Sequence, residues 1–108
     1  MVYRLGYGDP RYSIQTAEVF DRWFKSLKDR RAKARIQARI DRAEDGNLGD
    51  CESVGEGVSE MRIHHGPGYR VYFKRMGAKV IILLAGGDKS TQSSDIKIAL
   101  RLARRLGE

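Results

Sequence analysis

From Glu60 to Phe73 the chain reads EMRIHHGPGYRVYF, and polar residues alternate with apolar ones. Glu60, Arg62 and His64, then Arg70 and Tyr72, fall on one side of an extended chain. Met61, Ile63, Val71 and Phe73 fall on the other. A period of two is the pattern of a strand with one buried face. Gly66-Pro67-Gly68 between the runs has the residues a chain reversal needs. The pattern predicts a hairpin with strands at about 58–64 and 70–76. Consistent faces pair His64 with Arg70, Arg62 with Tyr72 and Glu60 with Lys74, whereas a slip by one residue would turn Arg62 into the core. Residues 79–86, KVIILLAG, are apolar on both sides, as in an interior strand, and a tight turn at 76–79 joins them to the hairpin. RYSIQ, 11–15, predicts a short strand that pairs with this central one as an edge.

Helical spacing governs the rest. Phe20, Trp23, Phe24 and Leu27 recur at i, i+3, i+4 and i+7, with Thr16 as the expected N-cap and Glu18 in the first turn. Asp29 marks a break or a new cap, and a second helix follows at about 30–45. It carries Ala32, Ile36, Ile40 and Ala43 on one face and Arg31, Arg35, Arg39 and Arg42 on another, and Gly46-Asn47 ends it. Residues 46–57 read as a glycine-rich loop. Ser93 or Ser94 caps a last helix, about 95–106, with Ile98, Ala99, Leu102 and Leu106 apolar and Lys97, Arg101, Arg104 and Arg105 in a basic stripe. The order is strand, two helices, three strands and a helix. It predicts an α+β domain in which the helices pack on one face of an antiparallel sheet.

Length changes this picture little. The 108 residues fit one domain, with 1–10 as an irregular N-terminal extension. No apolar run is long enough to span a membrane, the N-terminus lacks a signal-peptide core, and Cys51 is the single cysteine, so a cytoplasmic protein without a membrane partner is expected. Charge changes it more. The net charge is +7, and residues 61–108 hold 10 basic side chains against 3 acidic ones while residues 1–60 balance. A one-sided basic surface attracts polyanions, of which nucleic acid is the commonest in a cytoplasm.

The polar hairpin face then acquires a chemistry. Arg62, His64, Arg70, Tyr72 and Lys74 share it, and Lys89 arrives at the end of the neighbouring strand. Arginine binds phosphate bidentately, tyrosine stacks on unpaired bases, and histidine moves protons at neutral pH. These ingredients suit RNA cleavage without a metal or other cofactor, nucleic-acid binding without chemistry, or a solvated face. His64 and His65 are strand neighbours that point apart, which argues against zinc. Neither Glu56-Gly57 nor Gly86-Gly87 belongs to a phosphate-cradling motif.

The ordered pattern TAEVFDRWFKSLKDRRAKARI, GVSEMRIHHGPGYRVYF and VIILLAGGDKSTQSSDIKIA resembles the RelE/ParE toxin superfamily, and more narrowly its HigB-like addiction module killer protein branch. The resemblance spans about residues 11–106. It implies a fold of two N-terminal helices on a twisted antiparallel sheet with a C-terminal helix. It implies the toxin of a type II toxin–antitoxin pair, a ribosome-dependent mRNA endoribonuclease held silent by an antitoxin that often carries a DNA-binding domain. A ParE-like gyrase inhibitor is the alternative within the superfamily, and a non-catalytic nucleic-acid-binding module the alternative outside it. By motif position, Arg70 and Lys89 take phosphate and transition-state charge, Arg62 takes phosphate binding or proton transfer, and His64, from its face, is the candidate acid or base. Tyr72, Lys74, Gln92 and Arg101 are expected to touch RNA. The tyrosine that RelE-type nucleases carry late in the chain has no counterpart in STQSSDIKIALRLARRLGE.

Overall fold

The computed structural model describes residues 11–106, so the expected irregular segment 1–10 lies outside the described residues. The elements are β1 (Ser13–Thr16), α1 (Glu18–Ser26), α2 (Arg30–Glu44), β2 (Cys51–Gly55), β3 (Val58–Ile63), β4 (Tyr69–Met76), β5 (Val80–Asp88), a 3₁₀ turn (Lys89–Thr91) and α3 (Gln92–Leu106). The strands form one sheet in the order β1-β5-β4-β3-β2. The α+β class follows, but the sheet is mixed: β1 runs parallel to β5, while the other pairs are antiparallel. The chain leaves β1 for two helices, re-enters the sheet at the far edge as β2, and comes back beside β1 as β5, a connection far longer than the dozen or so residues a parallel pair needs.

The helices cover both faces of the sheet rather than one. Strand alternation puts Met61, Ile63, Val71, Phe73, Ile81 and Leu83 on the face of α1 and α2, where they pack with Phe20, Ala32, Ile36, Ile40 and Ala43. Val58, Tyr72, Leu84 and Ala85 face the other way and are closed over by Ala99 and Ala103 of α3. Leu84 and Ala85 share a face because the β4–β5 register shifts between Tyr72 and Phe73, a bulge in β5.

Local chemistry corrects several expectations. Asp29 does cap α2, its Oδ1 accepting from the amides of Arg31 (2.9 Å) and Ala32 (3.2 Å). Thr16, the expected cap of α1, lies in β1 instead; Ala17 holds the cap position without a side-chain bond. The last helix begins at Gln92 rather than Ser93 or Ser94. Asp88 caps the 3₁₀ turn before it, accepting from the Ser90 amide at 2.8 Å. The stretch 46–57 contains β2, an exposed edge strand that pairs with β3.

The β3–β4 hairpin is offset by two residues from the expected register. Arg62 pairs with Arg70, Glu60 with Tyr72 and Val58 with Lys74. An even offset keeps every side chain on its face, so the face pattern alone cannot choose between the two registers. The turn chooses. Ile63 pairs with Tyr69, which sends the buried Tyr69 ring into the core and leaves a five-residue loop, His64–Gly68. Gly66 (φ 56°) and Gly68 (φ 80°) take the left-handed backbone this loop needs.

Candidate functional site

β3 carries Glu60 and Arg62 on the α3 side of the sheet, and β4 sets Arg70 beside them. Glu60 is 4% exposed, and its carboxylate is the hub of the local network. Its Oε2 lies 3.3 Å from Arg62 Nε, its Oε1 lies 3.5 Å from Arg70 Nε, and Gln92 Nε2 donates to Oε1 at 2.9 Å. A buried carboxylate needs such partners, because an unpaired one would be costly. Arg62 also forms an ion pair with Glu52 of β2. Arg70 donates from Nη1 to the Gly68 carbonyl at 2.8 Å; its buried Nε is close enough to Glu60 for an ion pair but makes no hydrogen bond.

The hairpin loop is tied down at both ends. The His65 amide donates to the Ile63 carbonyl (2.9 Å), the Gly68 amide to the His65 carbonyl (3.1 Å), and the Lys89 amide to the Pro67 carbonyl (3.4 Å). The last bond brings the exit of β5 against the loop. A cavity of about 430 Å³ opens between them, and Arg62, His64, Arg70 and Lys89 all line it, with His65 and Tyr69. Its lining includes no Asp or Glu.

His64 is exposed, and its Nε2 lies 2.6 Å from Asp50 Oδ2. The hydrogen bond with His64 is the main reason the Asp50 carboxyl is held below its usual range. His65, which lines the same cavity, has its Nε2 3.5 Å from Asp29 Oδ2. Lys89 is exposed and has no ion pair among the described residues. Burial, and then Arg39, act oppositely on the Cys51 thiol; burial dominates and pushes it up, so Cys51 is a poor nucleophile. Among the described residues, no group of three or more His, Cys, Asp and Glu is arranged to hold a metal ion.

Other residues expected at the site are elsewhere. Tyr72 is fully buried beneath α3, its hydroxyl lacks a hydrogen-bond partner, and it presents no ring face to a base. Burial, followed by the nearby charge of Glu60, pushes its phenol well above the usual range. Gln92 is tied to Glu60. Lys74 lies beside Gly57 at the β2–β3 turn, and Arg101 is exposed on α3; neither lines the cavity. Sequence reasoning missed the carboxylates. Asp50 and Glu52 sat in the expected loop, and only the β2–β3 pairing brings them to His64 and Arg62.

Residues 22–106 match the model of the family described as phage derived protein Gp49-like. The chain belongs to the Gp49-like family. An uncharacterized protein of Haemophilus influenzae is 54% identical over 94 residues, covering 87% of this chain and 95% of the relative. Among solved structures, this Gp49-like chain is similar to a chain of the intact E. coli RelBE toxin–antitoxin complex, with a TM-score of 0.61 at 14% identity, covering 71% of this chain and 95% of that one. It is also similar to a double mutant of E. coli toxin RelE in the free state, with a TM-score of 0.63 at 12% identity, covering 81% and 96%. At such identities the shared property is the fold, which is RelE-like.

Proposed function

We propose that this Gp49-like protein is the toxin of a toxin–antitoxin pair and an endoribonuclease that cuts mRNA on the ribosome. The observation that carries the reading is one cavity lined together by His64, Arg62, Arg70 and Lys89. RNA holds its own nucleophile. His64 takes the proton of a ribose 2′-hydroxyl, and Asp50, at 2.6 Å, orients the imidazole. The 2′-oxygen attacks the adjacent phosphorus. Arg70 and Lys89 meet the charge that builds on the phosphoryl oxygens, where one such group is typically worth ~10²–10³ in rate. The Lys89 ammonium gives a proton to the departing 5′-oxygen. The products are a 2′,3′-cyclic phosphate and a 5′-hydroxyl.

The RelE-like fold and the family support the toxin assignment, and the sequence pattern from Glu60 to Ile96 supports its HigB-like branch. The partner in this reading is a small antitoxin, and the similarity to a chain of the RelBE toxin–antitoxin complex supports it.

The test is primer extension on a reporter mRNA in a cell-free translation system. Wild type, His64→Ala and Lys89→Ala are compared, with one reaction in which initiation is blocked. Both residues are exposed, so neither substitution disturbs the buried network. Translation-dependent cuts that fade in both variants support the reading. Intact mRNA with translation unaffected rejects it and leaves gyrase inhibition to be assayed by DNA supercoiling.

A further inference from the structure

A second cavity, of about 240 Å³, lies beside the first and is lined by Arg35, Ala38, Arg39, Arg42, Ile63 and His64. The two cavities share Ile63 and His64, so they meet at the histidine. Neither lining contains a carboxylate.

The three arginines fall at i, i+4 and i+7 of α2 and so project from one side of the helix. Arg39 has a fixed place. Its guanidinium donates to the carbonyls of Leu48 (3.1 Å), Asp50 (3.3 Å) and Arg62, which ties α2 to the start of β2 and the end of β3. Arg35 and Arg42 flank it, exposed, with no side-chain hydrogen bond or ion pair among the described residues. Three guanidinium groups crowded around one concavity repel one another, and a polyanion entering it is attracted by all three. Arginine also matches phosphate geometry bidentately.

We propose that this arginine groove is a backbone-binding subsite for single-stranded RNA, continuous with the cleavage cavity. One strand runs from Lys89 and Arg70, across His64, to Arg35 and Arg42. The position of the cut phosphate, at the junction, rests on the nuclease reading; the groove's affinity for a single strand does not. A single strand fits because the site is two small concavities in series, and a flexible backbone follows such a path where a stiff duplex does not.

The test is fluorescence anisotropy with a labelled single-stranded oligodeoxynucleotide, which lacks the 2′-hydroxyl and so reports binding without cleavage. Affinity is measured across a salt series for wild type, R35Q/R42Q, and R75Q/K97Q. The last pair removes the same charge from exposed positions outside the groove. Losing two phosphate contacts lowers the slope of log affinity against log salt by about 1.4, and affinity at low salt by roughly tenfold or more. R75Q/K97Q changes the slope little. R35K/R42K, which keeps the charge, retains most of the slope and guards against an effect of misfolding, which thermal melts also read. A slope in R35Q/R42Q no smaller than in R75Q/K97Q overturns the proposal. Groove-dependent binding with no mRNA cleavage keeps the groove and rejects the nuclease. Cleavage with groove-independent binding does the reverse.

Discussion

Gly86 and Gly87 stand where two elements press on β5 from opposite sides. A Cβ on Gly86 would lie 2.2 Å from the Trp23 ring of α1, and one on Gly87 would lie 1.8 Å from the Asp95 carboxylate of α3. The glycine pair therefore lets both helices approach the strand that delivers Lys89. Gly86→Ala is expected to cost about 1–3 kcal/mol through overpacking, read as a lower midpoint in urea. The same scale explains why Arg70 is a poor choice for a simple activity test. Its loss would weaken the pairing of buried Glu60 as well as remove a cation from the cavity. His64 and Asp50 are free of that problem. Within the nuclease reading, His64→Ala lowers the single-turnover cleavage rate by ~10²–10⁴. Asp50→Asn lowers it less and leaves ribosome binding unchanged. Equal losses of binding and cleavage in both variants would make the pair a docking contact instead. The cations of the site were legible in the sequence as residue types on a predicted face. Their restraints were not, because Glu52 and Asp50 reach Arg62 and His64 only through strand pairing.

Elements with a strong local signal were legible to within a few residues. The α2 stripe of Ala32, Ile36, Ile40 and Ala43 is buried as its spacing predicts, and Asp29 caps the helix. β2 was not legible, because Cys51–Gly55 is an exposed edge whose order comes from β3, not from its own apolar pattern. The hairpin register failed for a related reason: two registers satisfy one face pattern, and the burial of Tyr69 decides between them. The Asp29 cap supports a prediction with a pH dependence. Hydrogen bonding from the Ala32 amide, followed by burial acting the other way and the Arg31 amide, holds the Asp29 carboxyl below its ordinary 3.8. A folded value below the unfolded one means the ionised cap stabilises above about pH 4, and that this is lost as pH falls through the folded value. Asp29→Ala should lower Tm by ~5 °C at neutral pH, whereas Asp29→Asn keeps most of the cap. The gap between wild type and Asp29→Asn should close below pH 4 in thermal melts. A gap that persists into acid would move the origin of the effect away from this carboxyl.

At the scale of the whole molecule, the sheet separates two cores, and Arg62, His64, Arg70 and Lys89 meet at the end of it where the β3–β4 loop lies against the exit of β5. The sequence showed a net charge of +7 but not how much of it is available to a partner. Folding neutralises part of it. Arg104 of α3 is paired bidentately with Glu56 (2.9 and 2.7 Å), and Arg62 is shared between Glu60 and Glu52. Arg35, Arg42 and Lys89 have no such partner among the described residues. The track that runs past His64 therefore keeps three cations uncommitted, with Arg62 held back inside it. Glu52 is the side chain that holds it back at the surface; Glu60 is buried and has Arg70 and Gln92 as further partners. Glu52→Gln removes that restraint without opening the core, since β2 is an exposed edge. It should make one more cation available to a single-stranded oligonucleotide, steepening the slope of log affinity against log salt by about 0.7. Single-strand affinity rises with it, most at low salt, and the stability to urea changes little because Glu52, the partner removed, is exposed and Arg62 keeps Glu60. An unchanged slope would mean that Arg62 stays with Glu60 and serves the architecture of the sheet, leaving Arg70, Lys89 and the α2 arginines to hold the strand.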